Sequence, residues 1–424
     1  MIDPKNLRDN LDKIIDMLEK RNNKFPLNDL INLDKRGREL IASLQSERHK
    51  KNKIANNIAI EKREKGDISI YIKQMEEIGN RIKVLEEKIS NNNSKFNSLM
   101  MLLPNFLHDS VPVGKDETDN VIIRTHGTIK KFDHLIRNHI DIGESLNLID
   151  IEKAAKISGS RFYFFKNGLV KLNHAIISFA LDFLCEKGYT LLQPSYMIRK
   201  NAMQGAVILE DFKDVIYKIQ DEDLFLIGTS EHAMAAMHMD EILEGSKLPL
   251  RYAGFSPCFR KEAGAHGKDM KGIFRVHHFD KVEQFVYSRP EESWKEHEKM
   301  LNIAEEFYKR LGIPYRVVLL CSADLGKISS KTYDIEAWIP AQKNYREIVS
   351  CSNCIDYQAR RLRIRFRDKT NEETKLVYTL NSTLVAIQRT LVAILENYQT
   401  SNGVIVPEIL QKYMGGMREI KLNE

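Results

Sequence analysis

The richest stretch for chemistry is residues 259–283. There a strand-like segment ending in Arg260, Lys261 and Glu262 meets a Gly- and Lys-containing loop and then a second strand-like segment. Side chains alternate faces along a strand, so a regular second strand sends Arg275, His277, Phe279, Lys281 and Glu283 to one side. The first strand adds Arg260 and Glu262 at the same spacing, and the loop adds Lys268 and Lys271. No apolar core accepts such a face. A guanidinium clamps a phosphate or a carboxylate through paired hydrogen bonds, the Phe279 ring can stack a base, and Glu262 and Glu283 accept from amino groups. The bland alternative is a solvated sheet face of mixed charge, which antiparallel sheets commonly carry.

Other short motifs carry less by themselves. Thr229-Ser230-Glu231 follows a strand-like run at 224–227 and reads alone as a helix cap. Cys351-x-x-Cys354 invites a zinc or redox reading, yet a structural zinc site takes four ligands, no second close pair is present, and no thioredoxin-like βαβ pattern surrounds it. No structural zinc is expected. Gly-rich phosphate loops of the Walker or Rossmann kind are missing, so a nucleotide bound here is held by other means.

The elements that position these residues fall into two parts. A chain of 424 residues, 42% hydrophobic and 29% charged, can bury a full core and is too long for one average domain. From Ile68 a seven-residue repeat runs through Met75, Ile82, Ile89, Phe96 and Leu103, with Tyr71, Ile78, Leu85, Asn92 and Leu99 three residues later. Only Asn92 breaks it. This is the seam of a coiled coil. Upstream, Leu30, Leu33, Leu40, Leu44, Ile54 and Ile58 fit the same template, although Gly37, Glu47 and Lys51 fall on seam positions. Glu64-Lys65-Gly66-Asp67 between them signals a turn with Asp67 as cap, so an antiparallel hairpin of about 28–103 is expected, an arm of roughly 50 Å. Asp3 and Pro4 predict a short helix ahead of it.

Between Arg48 and Lys65 the hairpin carries seven basic residues (Arg48, Lys50, Lys51, Lys53, Lys62, Arg63 and Lys65) against two acidic ones. That is a plausible contact for a phosphate backbone, or else the solvated face of a Lys-rich coiled coil. The Pro-, Gly- and Asp-containing stretch at 111–116 marks a boundary, giving domains of 1–110 and 111–424. In the second, a long helix at 169–186 precedes short strand-like runs at 215–219, 224–227, 315–320, 333–339 and 362–366. This is an α+β pattern with a mainly antiparallel sheet. Five cysteines argue for a reducing, cytoplasmic compartment, and the charged first twenty residues read as no signal peptide. No run of about 18 uncharged apolar residues suggests a membrane span.

Taken together, these segments resemble the class II aminoacyl-tRNA synthetases, and the wording of residues 259–283 is similar to the second signature motif of the seryl-tRNA synthetase family in particular. The stretch from Asn173 through Cys185 and Gly188 to Pro194 resembles the first motif, placed at a homodimer interface. Asn381-Ser382-Thr383-Leu384-Val385-Ala386-Ile387-Gln388-Arg389 and the helix after it resemble the third. Ser382, Leu384 and Gln388 stand where glycines are usual, and glycine permits closer backbone approach. The resemblance covers essentially the whole chain and implies a tRNA-binding coiled-coil arm on a class II catalytic domain.

By this resemblance the substrates are L-serine, ATP with Mg²⁺, tRNA(Ser) and tRNA(Sec). Thr229, Ser230 and Glu231 match the element for the serine amino group, and Glu283 and Thr383 read its hydroxyl. Arg260 serves the serine carboxylate and α-phosphate, Glu262 the adenine amino group, Phe279 the adenine ring, and Arg275 and Arg389 the outer phosphates. Lys261 and Val276 belong to the same ATP-binding set. Glu347-Ile348-Val349-Ser350 matches the element that meets ATP through a divalent cation, with Glu347 and Ser350 as oxygen ligands. Arg260, Glu283 and Arg389 are the expected catalytic groups. His278, where glutamine is usual, is expected to point away from the active face. Two other readings remain open: a relative that loads an amino acid onto a carrier protein, and a non-catalytic RNA-binding protein on the same fold.

Overall fold

The computed structural model describes residues 1–262 and 271–422, so the loop position Lys268 lies outside the described residues. The chain divides into two compact units. One comprises residues 3–18 and 23–103, the other 1–2, 19–22 and 104–424.

In the first unit the expected N-terminal helix is split into Asn6–Asp9 and Leu11–Lys20, because Asn10 leaves helical geometry with φ −142°. Two long helices come next, α1 (Leu27–Glu64) and α2 (Ser69–Met100). Lys65 ends α1 in the left-handed region (φ 56°), and Asp67 accepts from the Ser69 N–H at 2.9 Å and its Oγ at 2.6 Å, which closes the turn. Along α2 every member of the seven-residue series is covered, Tyr71, Met75, Ile78, Ile82, Leu85, Ile89, Asn92, Phe96 and Leu99, and outside the series Gly79 and the terminal Met100 are covered too. The polar break has a partner. Asn92 Nδ2 donates to the Leu33 carbonyl at 3.0 Å, and a Cβ on Gly37 would lie 3.0 Å from that same nitrogen. Glu47 sits on the seam because Lys50 (2.6 Å) and Arg81 of α2 (2.9 Å) satisfy its carboxylate, whereas Lys51 turns outward.

The second unit is built on a sheet that, among the described residues, has eight strands: β1 (Val121–His126), β2 (Thr190–Leu192), β3 (Leu250–Phe259), β4 (His278–Ser288), β5 (Tyr315–Leu319), β6 (Lys331–Ile339), β7 (Asn344–Asn353) and β8 (Tyr378–Ala386). Their order is β1-β5-β6-β7-β8-β4-β3-β2, antiparallel throughout except for the β2–β3 pair. Helices α3 (His139–Ser145), α4 (Gly168–Glu186), α5 (Ser230–Ala236), α6 (Ser293–Leu311), α7 (Tyr357–Leu362) and α8 (Ile387–Asn397) complete the elements that matter here. The core forms where α4, α6 and α8 cover one face of the sheet. Phe179 of α4 stacks on Phe307 of α6 at 4.8 Å, and Val282, Val286, Leu380 and Leu384 from the strands join the same cluster.

Several expectations are corrected. The run at 215–219 forms only a bridge, Lys218 to Phe225, and residue 362 ends helix α7 before a short strand Arg365–Arg367. Strand β4 starts at His278, so Arg275 and His277 reach their places from an irregular approach and not from a continuous strand. Helix α4 is by length and composition apolar enough to cross a membrane, a feature that Lys171 and Asp182 obscure in the sequence. Its Leu169, Leu172, Ile176, Phe179, Ala180, Phe183 and Leu184 are instead buried in the core.

Candidate active site

The sheet face opposite these helices holds the site, and two irregularities in the ladder build it. In a regular strand, residues three apart point to opposite faces. Between β6 and β7 the register passes from Ile335↔Val349 to Glu336↔Glu347, which leaves Ile348 as an extra residue. This bulge turns Glu347 and Ser350 to the same face. Between β8 and β4 the register passes from Thr383↔Glu283 to Val385↔Val282, with Leu384 extra, and Thr383 and Ala386 come to share the site face with Lys281. Leu384, fully buried, is thereby sent into the core.

Above these strands lies a cavity of about 330 Å³ lined by Arg260, Glu262, Phe274, Arg275, Val276, Phe279, Lys281, Glu347, Ile348, Thr383, Gln388 and Arg389, among others. At one wall Arg389 donates to the Glu347 carbonyl at 2.9 Å and lies 3.1 Å from its carboxylate. Crowding by protein pushes the Glu347 carboxyl upward, but the charges of Arg389, Arg260 and Lys281 outweigh it and hold the group below its ordinary value. Phe274 lies between two guanidiniums, Arg346 at 4.7 Å and Arg389 at 5.0 Å from its ring centroid, an arrangement that fixes both cations without neutralising them. Opposite, Arg260 rests on the Phe279 ring at 5.2 Å and donates through Nε to the Gly228 carbonyl at 3.2 Å. Glu262 adopts φ 50°, its carbonyl taken by Arg161 at 2.8 Å and its carboxylate 3.5 Å from Arg275.

A polar cluster forms the inner end. Lys281 pairs with Glu283 and stands 3.5 Å from Thr383 Oγ1, which is 3.4 Å from Glu283 Oε2. All three side chains are buried. Glu231, on the first turn of α5, receives a hydrogen bond from Gln358 at 3.3 Å. Burial, and then repulsion by Glu283, raises its carboxyl to about 7. His232 beside it is pushed down to about 3 by burial and by the nearby Arg260 and Lys281 charges, so the ring is neutral and its Nδ1 accepts the Gly228 N–H at 3.3 Å. Gly228 is thus held from both ends, and with it the turn that presents Thr229 and Glu231.

Some predicted residues fall elsewhere. Ser230 is fully buried and donates to the Gly254 carbonyl at 3.1 Å, so its hydroxyl is occupied by the fold. Thr229 Oγ1 caps α5 by accepting the Glu231 N–H at 3.2 Å. Lys261 is exposed, with its ammonium 5.7 Å from the Tyr217 ring, and does not line the cavity. Val349 packs into the core beside Ile348, and only the latter reaches the cavity wall. His278 stacks on Tyr163 at 4.9 Å, away from the cavity. Gln388, one of the glycine replacements, accepts the Asp280 N–H at 2.8 Å and donates to Tyr163 at 2.9 Å. Lys281 as an inner-end cation, Phe274 and Gln388 were not among the predicted site residues. Alternation along β4 was the available signal for Lys281, but it sends Phe274 to the opposite face, and Phe274 lies before the strand begins. Cys351 and Cys354 are buried free thiols pushed up by burial, and among the described residues no group of three or more His, Cys, Asp or Glu side chains is arranged to hold a metal.

Comparison with known proteins gives this geometry its family. Two family models match the chain, the seryl-tRNA synthetase N-terminal domain over residues 1–107 and the tRNA synthetase class II core domain (G, H, P, S and T) over residues 215–398. The serine–tRNA ligase of Nitrosopumilus maritimus is 57% identical over 421 residues, which cover 99% of this chain and 100% of that protein. This chain belongs to the seryl-tRNA synthetase family. It is an aminoacyl-tRNA synthetase of class II, a ligase. The crystal structure of seryl-tRNA synthetase from Pyrococcus horikoshii complexed with ATP superposes with a TM-score of 0.94 at 46% identity, covering 100% of both chains. The cytoplasmic serine–tRNA ligase of Naegleria fowleri in complex with AMP gives 0.90 at 35%, covering 100% of this synthetase and 99% of that chain.

Proposed function

We propose that the cavity is where this synthetase joins L-serine to ATP as seryl-adenylate, releasing pyrophosphate, before the serine passes to tRNA(Ser). The observation that carries the reading is the convergence of Arg260, Arg275 and Arg389 on one 330 Å³ cavity whose inner end holds the buried Lys281–Glu283–Thr383 cluster. The first step is attack of a serine carboxylate oxygen on the α-phosphorus, with loss of the bond to pyrophosphate. No side chain need act as nucleophile, and the protein's work is alignment and charge stabilisation. Arg260 holds the serine carboxylate against the α-phosphate. Glu262 accepts from the adenine amino group, Phe279 supports the ring, and Arg275 and Arg389 take the outer phosphates. Thr229 and Glu231 receive the serine ammonium, and Glu283 with Thr383 reads the hydroxyl. An amino acid without that hydroxyl leaves buried acceptors unpaired, at about 1–3 kcal/mol each.

Glu347 and Ser350 suit a magnesium ion brought in with ATP. Their oxygens are turned to one face by the bulge, and one carboxylate plus one hydroxyl leaves most positions to phosphate and water, as magnesium prefers. Bound there, the ion would neutralise phosphate charge.

The seven basic residues near the hairpin turn, all exposed, are the tRNA contact, reaching the long variable arm of tRNA(Ser). Arg48 and Lys50 already pair with Glu86 and Glu47. By the same resemblance tRNA(Sec) is a second acceptor. Residues 1–110 form the tRNA-binding part and 111–424 the catalytic part, in a cytoplasmic enzyme. Exposed apolar side chains on the sheet's edge strands, Val121, Ile122 and Ile123 of β1 and Leu191 of β2, support a homodimer.

Serine-dependent pyrophosphate exchange, compared with alanine, threonine and cysteine and followed by charging of serine tRNA, tests the reading. Exchange with serine and charging are expected. Exchange without charging would instead indicate loading of a carrier protein, and no exchange with any amino acid would leave an RNA-binding protein on a silent fold.

A further inference from the structure

Behind the ATP end of the cavity a buried clasp joins four segments distant in sequence. Glu396, near the end of α8 and fully buried, accepts through Oε1 from the His139 backbone N–H (3.0 Å) and from its ring Nδ1 (3.1 Å), and through Oε2 from the Ala341 N–H (3.0 Å). With Nδ1 donating, His139 Nε2 accepts, and the N–H of Ile273 points to it at 3.3 Å. The fit is close. Gly272 holds φ 86°, and a Cβ there would come within 2.1 Å of His139 Nε2, so only glycine lets the chain pass the ring. Arg137 and Gln399 exchange two further hydrogen bonds, 2.9 Å and 3.1 Å, which tie the segment bearing His139 to the chain just after α8.

The bond to Ile273 matters because the next two residues in the chain belong to the cavity. Phe274 lies against Arg389 and Arg346, and Arg275 is part of the cavity lining. Both reach the site before regular strand geometry begins at His278, so no sheet ladder sets their positions. Arg389 and Glu396 sit seven residues apart on one short helix. The same helix therefore carries one phosphate-facing guanidinium and anchors the approach that carries the other.

We infer that His139 is a positioning residue for ATP: held by Glu396 on one ring nitrogen, it uses the other to fix the Ile273 backbone and so sets Phe274 and Arg275 against Arg389. This rests on the ATP reading given above. The role differs from plain structural support because it bears on one substrate and uses each ring nitrogen separately. Gln at 139 can place an acceptor near the Nε2 position, whereas Asn can only replace the donor at Nδ1.

Serine-dependent pyrophosphate exchange on the full chain, with ATP and serine varied separately, decides it. His139→Ala and His139→Asn should raise the KM for ATP about tenfold, the scale of one lost buried hydrogen bond, with the KM for serine within about twofold, and His139→Gln should recover most of the loss. An unchanged KM for ATP in His139→Ala, an equal rise for both substrates, or His139→Gln no better than His139→Asn would overturn the inference. If His139→Ala does not fold, the comparison of Gln with Asn decides alone. Arg275→Ala separates the two levels. If it raises the KM for ATP while the His139 variants do not, only the clasp fails; if it leaves that KM unchanged, the ATP reading fails and the clasp's proposed role with it.

Discussion

The hairpin and the catalytic unit place polar groups by opposite means. In the hairpin a single seam of apolar side chains defines the pairing of α1 and α2, and Asn92 and Glu47 are tolerated because each finds a partner on or across the helix pair. In the catalytic unit the polar groups are gathered by breaks in regularity. One extra residue at Ile348 and another at Leu384 turn Glu347, Ser350, Thr383 and Ala386 to one face. A repeat makes a long, uniform element suited to reach. Its interruption makes a local concentration of charge suited to chemistry.

Removing Arg260 should have the largest effect. Arg260→Ala takes away the guanidinium between the expected serine carboxylate and the α-phosphate, and exchange should fall at least about a hundredfold, the usual cost of one such donor. Near-normal exchange would place the chemistry elsewhere. Deleting residues 35–98 makes the complementary break. Exchange should stay within about threefold while charging of serine tRNA drops about a hundredfold, because phosphate contacts dominate RNA affinity. Equal loss of both activities would mean that the hairpin is not a separate recognition element.

The Glu231 carboxyl gives a smaller, pH-dependent effect. Its value in the ligand-free protein is raised to about 7, first by burial and then by Glu283. The serine ammonium needs the charged form, so binding expels a proton, and the KM for serine should rise as pH falls below 7, up to about tenfold per unit. The sign for folding is the reverse: a carboxyl raised above its unfolded value costs stability above that unfolded value, and the cost fades as pH falls. A flat serine KM between pH 8 and 6 would remove Glu231 from the ammonium site. The smallest effect belongs to Asn92→Leu. It replaces a buried amide whose Oδ1 has no hydrogen-bond partner by an apolar group in the space left by Gly37, and should stabilise the hairpin by about 1 kcal/mol. Slower amide exchange along α1 and α2 would show it, and faster exchange would mean that the Asn92 bond to Leu33 outweighs the cost of the orphan oxygen.

The sequence made the hairpin legible because its pattern is local. A seven-residue period, a turn and a cap are written in neighbouring residues, and every repeat position of α2 is covered. Much of the cavity wall was legible for a related reason: period-two alternation in residues 279–283 marks a face no core accepts. The partners were less so. Ser230 looked like a ligand group beside Thr229 but is spent on Gly254, and Val349 sits next to a bulge that sends it inward.

By itself, then, the sequence determined the two-part organisation, the α+β class and the charged motifs, since each depends on composition and short-range period. Tertiary structure alone decided which strand neighbours Glu347 and Thr383 have, where the ladder slips, that Leu384 in place of glycine faces the core, and that His139 meets Glu396 across 257 residues of chain. Bulges and buried clasps are properties of pairing between distant segments, and register across a sheet is set by the fit of the whole core, which no local pattern encodes.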